Sequence, residues 1–281
     1  MNRQKSYIDQ SSHLYLIPTP IGNLDDITVR SLKVLEEVDF LLCEDTRVTN
    51  NLLSHFNIRK KLYSCHDHNE EQMKDFVFQK LTEGYNIGLV TDRGTPIISD
   101  PGYKISKFII EKGFPVIGLP GATAFVPALI TSGLQPSPFL FYGFLNSKKG
   151  KREKELIALK NYPYTMIFYE APHRVSDTLI SMLEVLGNRQ VSLHREISKL
   201  YEEICRGSIE EILSIISSLK GEMVIVVDGN KNLKDFTNLS ILEHVNIYTS
   251  DGLSEMDAIK IVAKERSVPK SLIYQEVHKR K

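Results

Sequence analysis

The sequence predicts an α/β protein built as two sheet-and-helix domains, residues 14–133 and 138–229, followed by a helical tail over 240–281. Three observations predict this. Short apolar runs alternate with amphipathic segments through the first half, a βαβα rhythm that implies a mainly parallel sheet covered by helices. Pro136-Ser137-Pro138 interrupts the rhythm, which then resumes with different content. The final segment carries helical spacing only.

The elements follow in order. Leu14–Ile17 is an apolar run closed by Pro18 and reads as the first strand. Ile27–Val38 places Leu32, Leu35 and Val38 at helical spacing, and Phe40–Cys43 is strand-like again. Thr46–His55 reads as helix, Leu62–Cys65 as a weak third strand and Glu70–Glu83 as helix. Ile87–Val90 and Val116–Leu119 are the fourth and fifth strands. Right-handed crossovers would gather all the loops after these strands at one edge. Beyond the proline break, Phe139–Phe144, Thr165–Tyr169, Val191–Arg195, Glu203–Cys205 and Met223–Val227 read as strands, and Lys151–Lys160 and His173–Leu186 as helices. Ser208-Ile209-Glu210-Glu211 has the spacing of a capping box, so a helix should start at Ser208. The polar stretch 230–238 reads as a linker. Ser254–Arg266 and Ser271–His278, separated by Ser267-Val268-Pro269-Lys270, suggest a helix–turn–helix hairpin.

Composition narrows the function classes. Lys plus Arg equals Asp plus Glu, 35 of each, which argues against indiscriminate nucleic-acid binding through phosphate neutralisation. Local basic faces remain: Ser147-Lys148-Lys149-Gly150-Lys151-Arg152, and seven Lys or Arg across Ala258–Lys281. Each reads either as a solvated surface run or as a phosphate contact. No apolar run reaches membrane-spanning length. The opening MNRQKSYIDQSSH lacks the apolar core of a signal peptide and reads as a disordered lead-in. Cys43, Cys65 and Cys205 are odd in number and far apart, which fits buried thiols in a reducing cytoplasm.

The chemistry is concentrated in Gly88–Tyr103, GLVTDRGTPIISDPGY. An acid and a tight turn, Asp92-Arg93-Gly94-Thr95-Pro96, follow a buried strand, and Asp100-Pro101-Gly102 forms a second turn before a helix. The carboxyl ends of parallel strands are where open α/β sheets bind ligands. A plain strand–turn–helix connection would leave the same trace. No dinucleotide or triphosphate loop motif occurs, and a ligand without phosphates remains open. S-adenosyl-L-methionine is one, with hydroxyls and a sulfonium that Asp92 could face. Gly94 and Gly121 would allow close backbone approach, and Pro120-Gly121-Ala122-Thr123-Ala124 opens a helix whose free amides could hold a carboxylate.

Seven ordered segments, LIPTPIGNLDDIT, EDTR, CHDHNE, TDRGTPIISDPGY, GLPGATA, FYEAPHR and REISKLYEE, resemble the tetrapyrrole-methylase-like superfamily. Within it they look most like the branch of bacterial 16S rRNA (cytidine-2′-O)-methyltransferases. The match runs in order from Leu14 to Asp228. The resemblance implies a class III methyltransferase fold with S-adenosyl-L-methionine between two α/β domains, a homodimer, and a cytidine ribose in the decoding region of the small ribosomal subunit as substrate. It implies cofactor roles for Pro20, Asp92, Gly94, Thr95, Ala122, Thr123 and Tyr169, joined by Gly121. Arg93 and Asn146 depart from the pattern, which has a small residue at the first position and a proline at the second. An inward Arg93 would compete with the cofactor, whereas an outward one would leave the loop backbone free.

For ribose methylation a base could help by roughly 10²–10⁴-fold. Asp45 is the first candidate, with Arg47 near a phosphate; an Asp45–Arg47 ion pair or an Asp45 helix cap is the simpler account. His66 is the second, against a structural hydrogen-bonded histidine. His66 and His68 have metal-ligand spacing, but no further ligand cluster accompanies them beyond Cys65, so no metal is expected. Arg174 and Arg195 could grip RNA phosphates, with Lys148, Lys149, Lys151 and Arg152 as looser electrostatic contacts; partial burial against Glu170 or Glu196 accounts equally well for the two arginines. Two other readings stay open here: a methylase of a corrin-like tetrapyrrole, and a ribosome-binding assembly factor without catalysis.

Overall fold

The computed structural model describes residues 3–6, 12–231, 239–250, 252–266 and 268–279. The expected linker falls almost wholly outside these residues, as do parts of the expected lead-in and the last two basic residues, Arg280 and Lys281. The described residues up to Asn230 form one unit, and those from Lys231 onward form a second.

Leu14–Leu16 (β1), Phe40–Cys43 (β2), Lys61–Ser64 (β3), Ile87–Leu89 (β4) and Val116–Gly118 (β5) make a fully parallel sheet in the order β3-β2-β4-β1-β5. Strand alternation feeds two apolar layers, as a parallel sheet covered on both faces requires. Leu14 packs with Ile87 and Leu89, beneath Val77, Leu81, Ile105 and Ile109 from Glu70–Thr82 (α3) and Tyr103–Glu111 (α4). Ile17 packs on the other face with Val34, Leu35 and Leu53 from Val29–Glu37 (α1) and Thr46–His55 (α2). Thr28 caps α1 by accepting from the Ser31 amide.

The second sheet is mixed rather than parallel. Phe139–Phe144 (β6), Thr165–Glu170 (β7), Gln190–Arg195 (β8), Glu203–Ser208 (β9) and Met223–Val227 (β10) take the order β6-β7-β10-β8-β9. Only β6 and β7 run parallel; β10 enters between β7 and β8, antiparallel to both, and β8 and β9 pair antiparallel. The segment joining β8 to β9 is too short for a helical crossover, so the strands must reverse. Lys149–Leu159 (α6), Val175–Leu186 (α7) and Ile209–Ile215 (α8) cover one face with Leu156, Leu179, Met182 and Ile212. The capping box at Ser208 and Glu211 is formed.

Phe125–Thr131 (α5) follows β5, yet its Ala128 and Leu129 pack on Ile167, Val224 and Val226 of the second sheet. The two halves expected as separate domains therefore share one body, with α5 reaching from one sheet to the other.

In the second unit, Ile241–Ser250 (α9), Glu255–Glu265 (α10) and Lys270–His278 (α11) close on Val245, Ile259, Val262 and Ile273. The hairpin of α10 and α11 is as expected. Helix α9 falls within the tail expected to be helical from residue 240, although the sequence reading singled out no separate helix there.

His194 is buried in β8, its Nε2 2.8 Å from Ser192 Oγ. Burial, reinforced by Arg206, lowers its pKa from 6.5 to about 4. The unfolded chain then takes up a proton that the folded one refuses, so stability is full above pH 6.5 and falls as pH drops toward 4. We expect wild type to lose about 3 kcal/mol relative to His194→Gln between pH 7.5 and pH 4, read by urea unfolding. A pH-independent difference between the two would contradict this burial.

Candidate active site

The carboxyl edge of the first sheet gathers three loops. Thr19, after β1, exchanges two backbone hydrogen bonds with Gly94, after β4: Thr19 N donates to Gly94 O at 2.9 Å and Gly94 N to Thr19 O at 3.0 Å. The Thr19 hydroxyl donates to Thr91 O at 3.1 Å. Thr95 Oγ1 donates to Ala122 O at 3.0 Å, tying in the loop after β5. A Cβ on Gly121 would lie 2.4 Å from Pro18 Cβ, so only glycine lets these loops meet.

The loop from Val90 to Gly102 is held in an uncommon shape. Ile97 (φ 74°) and Ser99 (φ 66°) occupy the left-handed region, which is costly above all for β-branched Ile97. The loop ends on a clamp from α3: the buried Glu70 Oε1 accepts from Gly102 N (3.1 Å), Lys104 N (2.7 Å) and Ile105 N (3.3 Å). Three amides at the start of α4 thus converge on one carboxylate.

These loops and the second sheet enclose a cavity of about 440 Å³. Gly94, Thr95, Ile98 and Asp100 line it from the first half; Phe144, Tyr169, Met223 and Val224 line it from the second. Tyr169 sits near the end of β7 with its phenol beside Thr123, Ala124 and Phe125. Burial raises its pKa, so it stays protonated at neutral pH. Arg93 also borders the cavity, but its guanidinium pairs with Glu222 on the opposite side. Glu222 accepts in addition from Lys199 Nζ at 2.7 Å. The arginine is drawn across to the second sheet and leaves the loop backbone free.

Of the expected cofactor residues, Gly94, Thr95, Thr123 and Tyr169 line the cavity. Pro20, Asp92, Gly121 and Ala122 are not among the lining residues. Asp92 Oδ1 accepts from the Asp45 amide at 3.1 Å, tying the β4 loop to the β2 loop. Gly121 and Ala122 act through packing on Pro18 and through the carbonyl that receives Thr95.

The two expected bases are not on the wall. Asp45 caps α2 by accepting from Arg47 N (2.8 Å), and it also takes Arg47 Nε (3.0 Å) and Nη2 (2.6 Å). These bonds hold its pKa down to about 2, a poor acceptor for a hydroxyl proton. In this structure Asp45 thus both caps α2 and pairs with Arg47. The His66 amide donates to Asn69 Oδ1 at 2.8 Å in the turn that opens α3. The sequence reading missed Asp100, an acid on the wall, because its setting in Asp100-Pro101-Gly102 reads as a turn. Among the described residues, no cluster of three His, Cys, Asp or Glu side chains has the arrangement of a metal site.

The basic candidates divide. Arg152 is buried in α6, with Nε donating to Ser181 Oγ at 3.0 Å and Nη1 to Ser147 O at 3.3 Å. It is removed from the RNA-facing set, because packing against α7 uses its donors. Arg174 Nη2 donates to Leu145 O at 2.6 Å and its Nε lies 3.3 Å from the buried Glu170. Arg195 pairs with Glu203 rather than Glu196, at 2.5 Å, and donates to Lys220 O at 3.0 Å. Lys148, Lys149 and Lys151 are exposed at the start of α6, with Lys149 3.1 Å from Glu184. In the tail, Lys260 pairs with Asp257, and Arg266 donates to His244 Nδ1 inside the helical unit.

The wall is mostly apolar with a few placed hydroxyls and one loop backbone at left-handed φ, a lining suited to a compact organic ligand. Arg93 is the one cation on it among the described residues, and that is taken by Glu222, so nothing there neutralises a polyphosphate. S-adenosylmethionine fits this set. Residues 13–213 match the family described as tetrapyrrole (corrin/porphyrin) methylases, and the chain belongs to it. The fold agrees: a structure of the methyltransferase CobJ matches with a TM-score of 0.61 at 16% identity, covering 78% of this chain and 95% of that one. A uroporphyrin-III C-methyltransferase from Thermus thermophilus, solved with S-adenosylhomocysteine, matches with a TM-score of 0.56 at 18% identity, covering 77% and 97%. Much nearer in sequence are proteins named ribosomal RNA small subunit methyltransferase I. The one from Bacillus subtilis is 44% identical over 99% of both chains, and the one from Escherichia coli O157:H7 is 40% identical over 98% of both.

Because Arg93 and Glu222 are both largely exposed, their pair should contribute at most about 1 kcal/mol to stability. We expect Arg93→Ala to leave S-adenosylmethionine affinity within about fivefold by calorimetry, the equivalent of 1 kcal/mol. A loss well beyond that would make Arg93 a ligand-holding residue instead.

Proposed function

We propose that this protein transfers a methyl group from S-adenosylmethionine to the ribose 2′-oxygen of a cytidine in the decoding region of 16S rRNA. The observation that carries the reading is the lined cavity between the two sheets, in a chain whose near relatives, 40–45% identical, are named for ribosomal RNA. Tetrapyrrole methylases share the fold at 16–19% identity among the compared structures, too distant to carry a substrate over.

Gly94, Thr95, Thr123 and Tyr169 would hold the cofactor, with Ile98, Phe144, Met223 and Val224 against its apolar surface. When bound, the cofactor supplies an already activated methyl group on a positively charged sulfur. The chain's own task is alignment, which contributes roughly 7–11 kcal/mol in favourable cases. The Thr19–Gly94 bonds, the Thr95–Ala122 bond and the Glu70 clamp fix the first-half wall before any ligand arrives. The exposed lysines at the start of α6 offer a phosphate-facing patch.

Tritium-labelled methyl should pass to small ribosomal subunits and appear at one cytidine 2′-oxygen on nuclease digestion. Label on a porphyrinoid or on a nucleobase would contradict the substrate, and an absence of label would favour a non-catalytic ribosome-binding role. Changing Lys148, Lys149 and Lys151 together to alanine should reduce the log–log salt slope of RNA binding by about 2 and leave cofactor affinity unchanged. An unchanged slope would remove the patch from the RNA path.

A further inference from the structure

The titratable groups on the cavity wall can be taken in turn. Glu170 is fully buried and committed: it accepts from the Thr178 hydroxyl at 2.6 Å and the Ala171 amide at 2.8 Å, beside Arg174. Glu222 holds Arg93 and Lys199. Tyr169 stays protonated, because burial raises its pKa. Asp100 remains. Among the described residues it is the acid of the wall that no ion pair engages.

Its backbone is set with care. Ser99, in the left-handed region, precedes it, and the Glu70 clamp on Gly102, Lys104 and Ile105 follows it. The facing charges come from every neighbouring loop: Glu44 after β2, Asp67 after β3 and Asp92 after β4. Burial above all, and these acids, push the Asp100 carboxyl up to about 6.

We propose that Asp100 is the proton acceptor for the ribose 2′-hydroxyl, a role that rests on the rRNA reading above. The 2′-hydroxyl proton passes to an Asp100 carboxylate oxygen, and the freed oxygen lone pair forms the new O–CH₃ bond. The electron pair of the broken C–S bond stays on sulfur, so a carboxylate and a sulfonium become a carboxylic acid and a neutral thioether. The site holds this carboxylate where it is ionised at neutral pH yet takes a proton more readily than an ordinary aspartate. The same site makes ionisation costly to the fold. A carboxyl whose folded pKa is raised adds stability below its unfolded pKa, and that stability is lost as pH rises through the folded value.

The test compares Asp100→Asn and Asp100→Glu with wild type, using calorimetry with S-adenosylmethionine, melting of the apo protein, and single-turnover methylation of small subunits across pH. Both variants should bind the cofactor within about fivefold of wild type. Asp100→Asn should lose about 10²-fold or more in rate, together with the acidic limb near pH 6, while Asp100→Glu keeps a limb at reduced rate. Apo Asp100→Asn should melt higher than wild type at pH 8 and level with it at pH 4. A rate within tenfold of wild type at every pH would overturn the inference. So would a cofactor-affinity loss that accounts for the rate loss, or equal melting at pH 8. Failure of the wild-type protein itself to methylate rRNA would overturn the functional reading, and this role with it.

Discussion

The cavity depends on one packing constraint: α5 leaves the first sheet but is buried against the second. Ala128 and Leu129 seat on Ile167, Val224 and Val226, and the same helix follows directly on Thr123 and Ala124, which line the cavity. The two sheets cannot separate without exposing that apolar patch, whose larger side chains each contribute about 1.5–3 kcal/mol on burial. The cleft is therefore a permanent feature of one body. Gly121, pressed on Pro18, sets how closely the connection from β5 can approach the β1 loop.

Around that constraint the polar interactions divide by purpose. Bonds within the first half, from Thr19 to Gly94 and from Thr95 to Ala122, make a single wall from three loops. Bonds between the halves are mostly exposed charge or hydroxyl contacts, such as Arg93–Glu222 and the Ser198 hydroxyl donating to Asp26. Such contacts are individually weak in water. The wall is thus stiff where a reacting group must be aligned and lightly tied where the two halves meet. Asp100 belongs to the stiff part, on a loop that keeps two non-glycine residues in left-handed conformation. Backbone strain of that kind persists only where the surroundings over-determine it.

Much of this was legible in the residues. Phe40–Cys43, Thr46–His55, Phe139–Phe144 and Met223–Val227 fall where the apolar runs and helical spacing place them: Phe40–Cys43 and Met223–Val227 are buried throughout, and Thr46–His55 buries Thr49 and Leu53 one turn apart. The strand direction of the second half was not legible, since pairing partners such as β10 between β7 and β8 depend on chain reversals far apart in sequence. At the site, the loop was legible, whereas the place of each acid within it was not. Asp92 follows the strand directly and looks like the ligand-facing residue, yet its carboxylate is spent on the Asp45 amide. Asp100 sits among turn residues, and only the left-handed backbone before it and the clamp after it bring it to the wall. Arg152 looked like one more surface cation, but at its position on α6 the side chain faces α7 and Ser181. Local spacing reports the face of a helix, whereas the neighbour that covers that face is a tertiary fact.

The central claim is that the space between the two sheets is where the methyl donor sits. A crystal structure of the protein grown with S-adenosylhomocysteine tests it most directly. The account predicts one ligand against Gly94, Thr95, Thr123 and Tyr169, touching residues of both sheets. A ligand bound on the outer face of either sheet or on the helical tail, with the interior space filled by protein side chains, would contradict it.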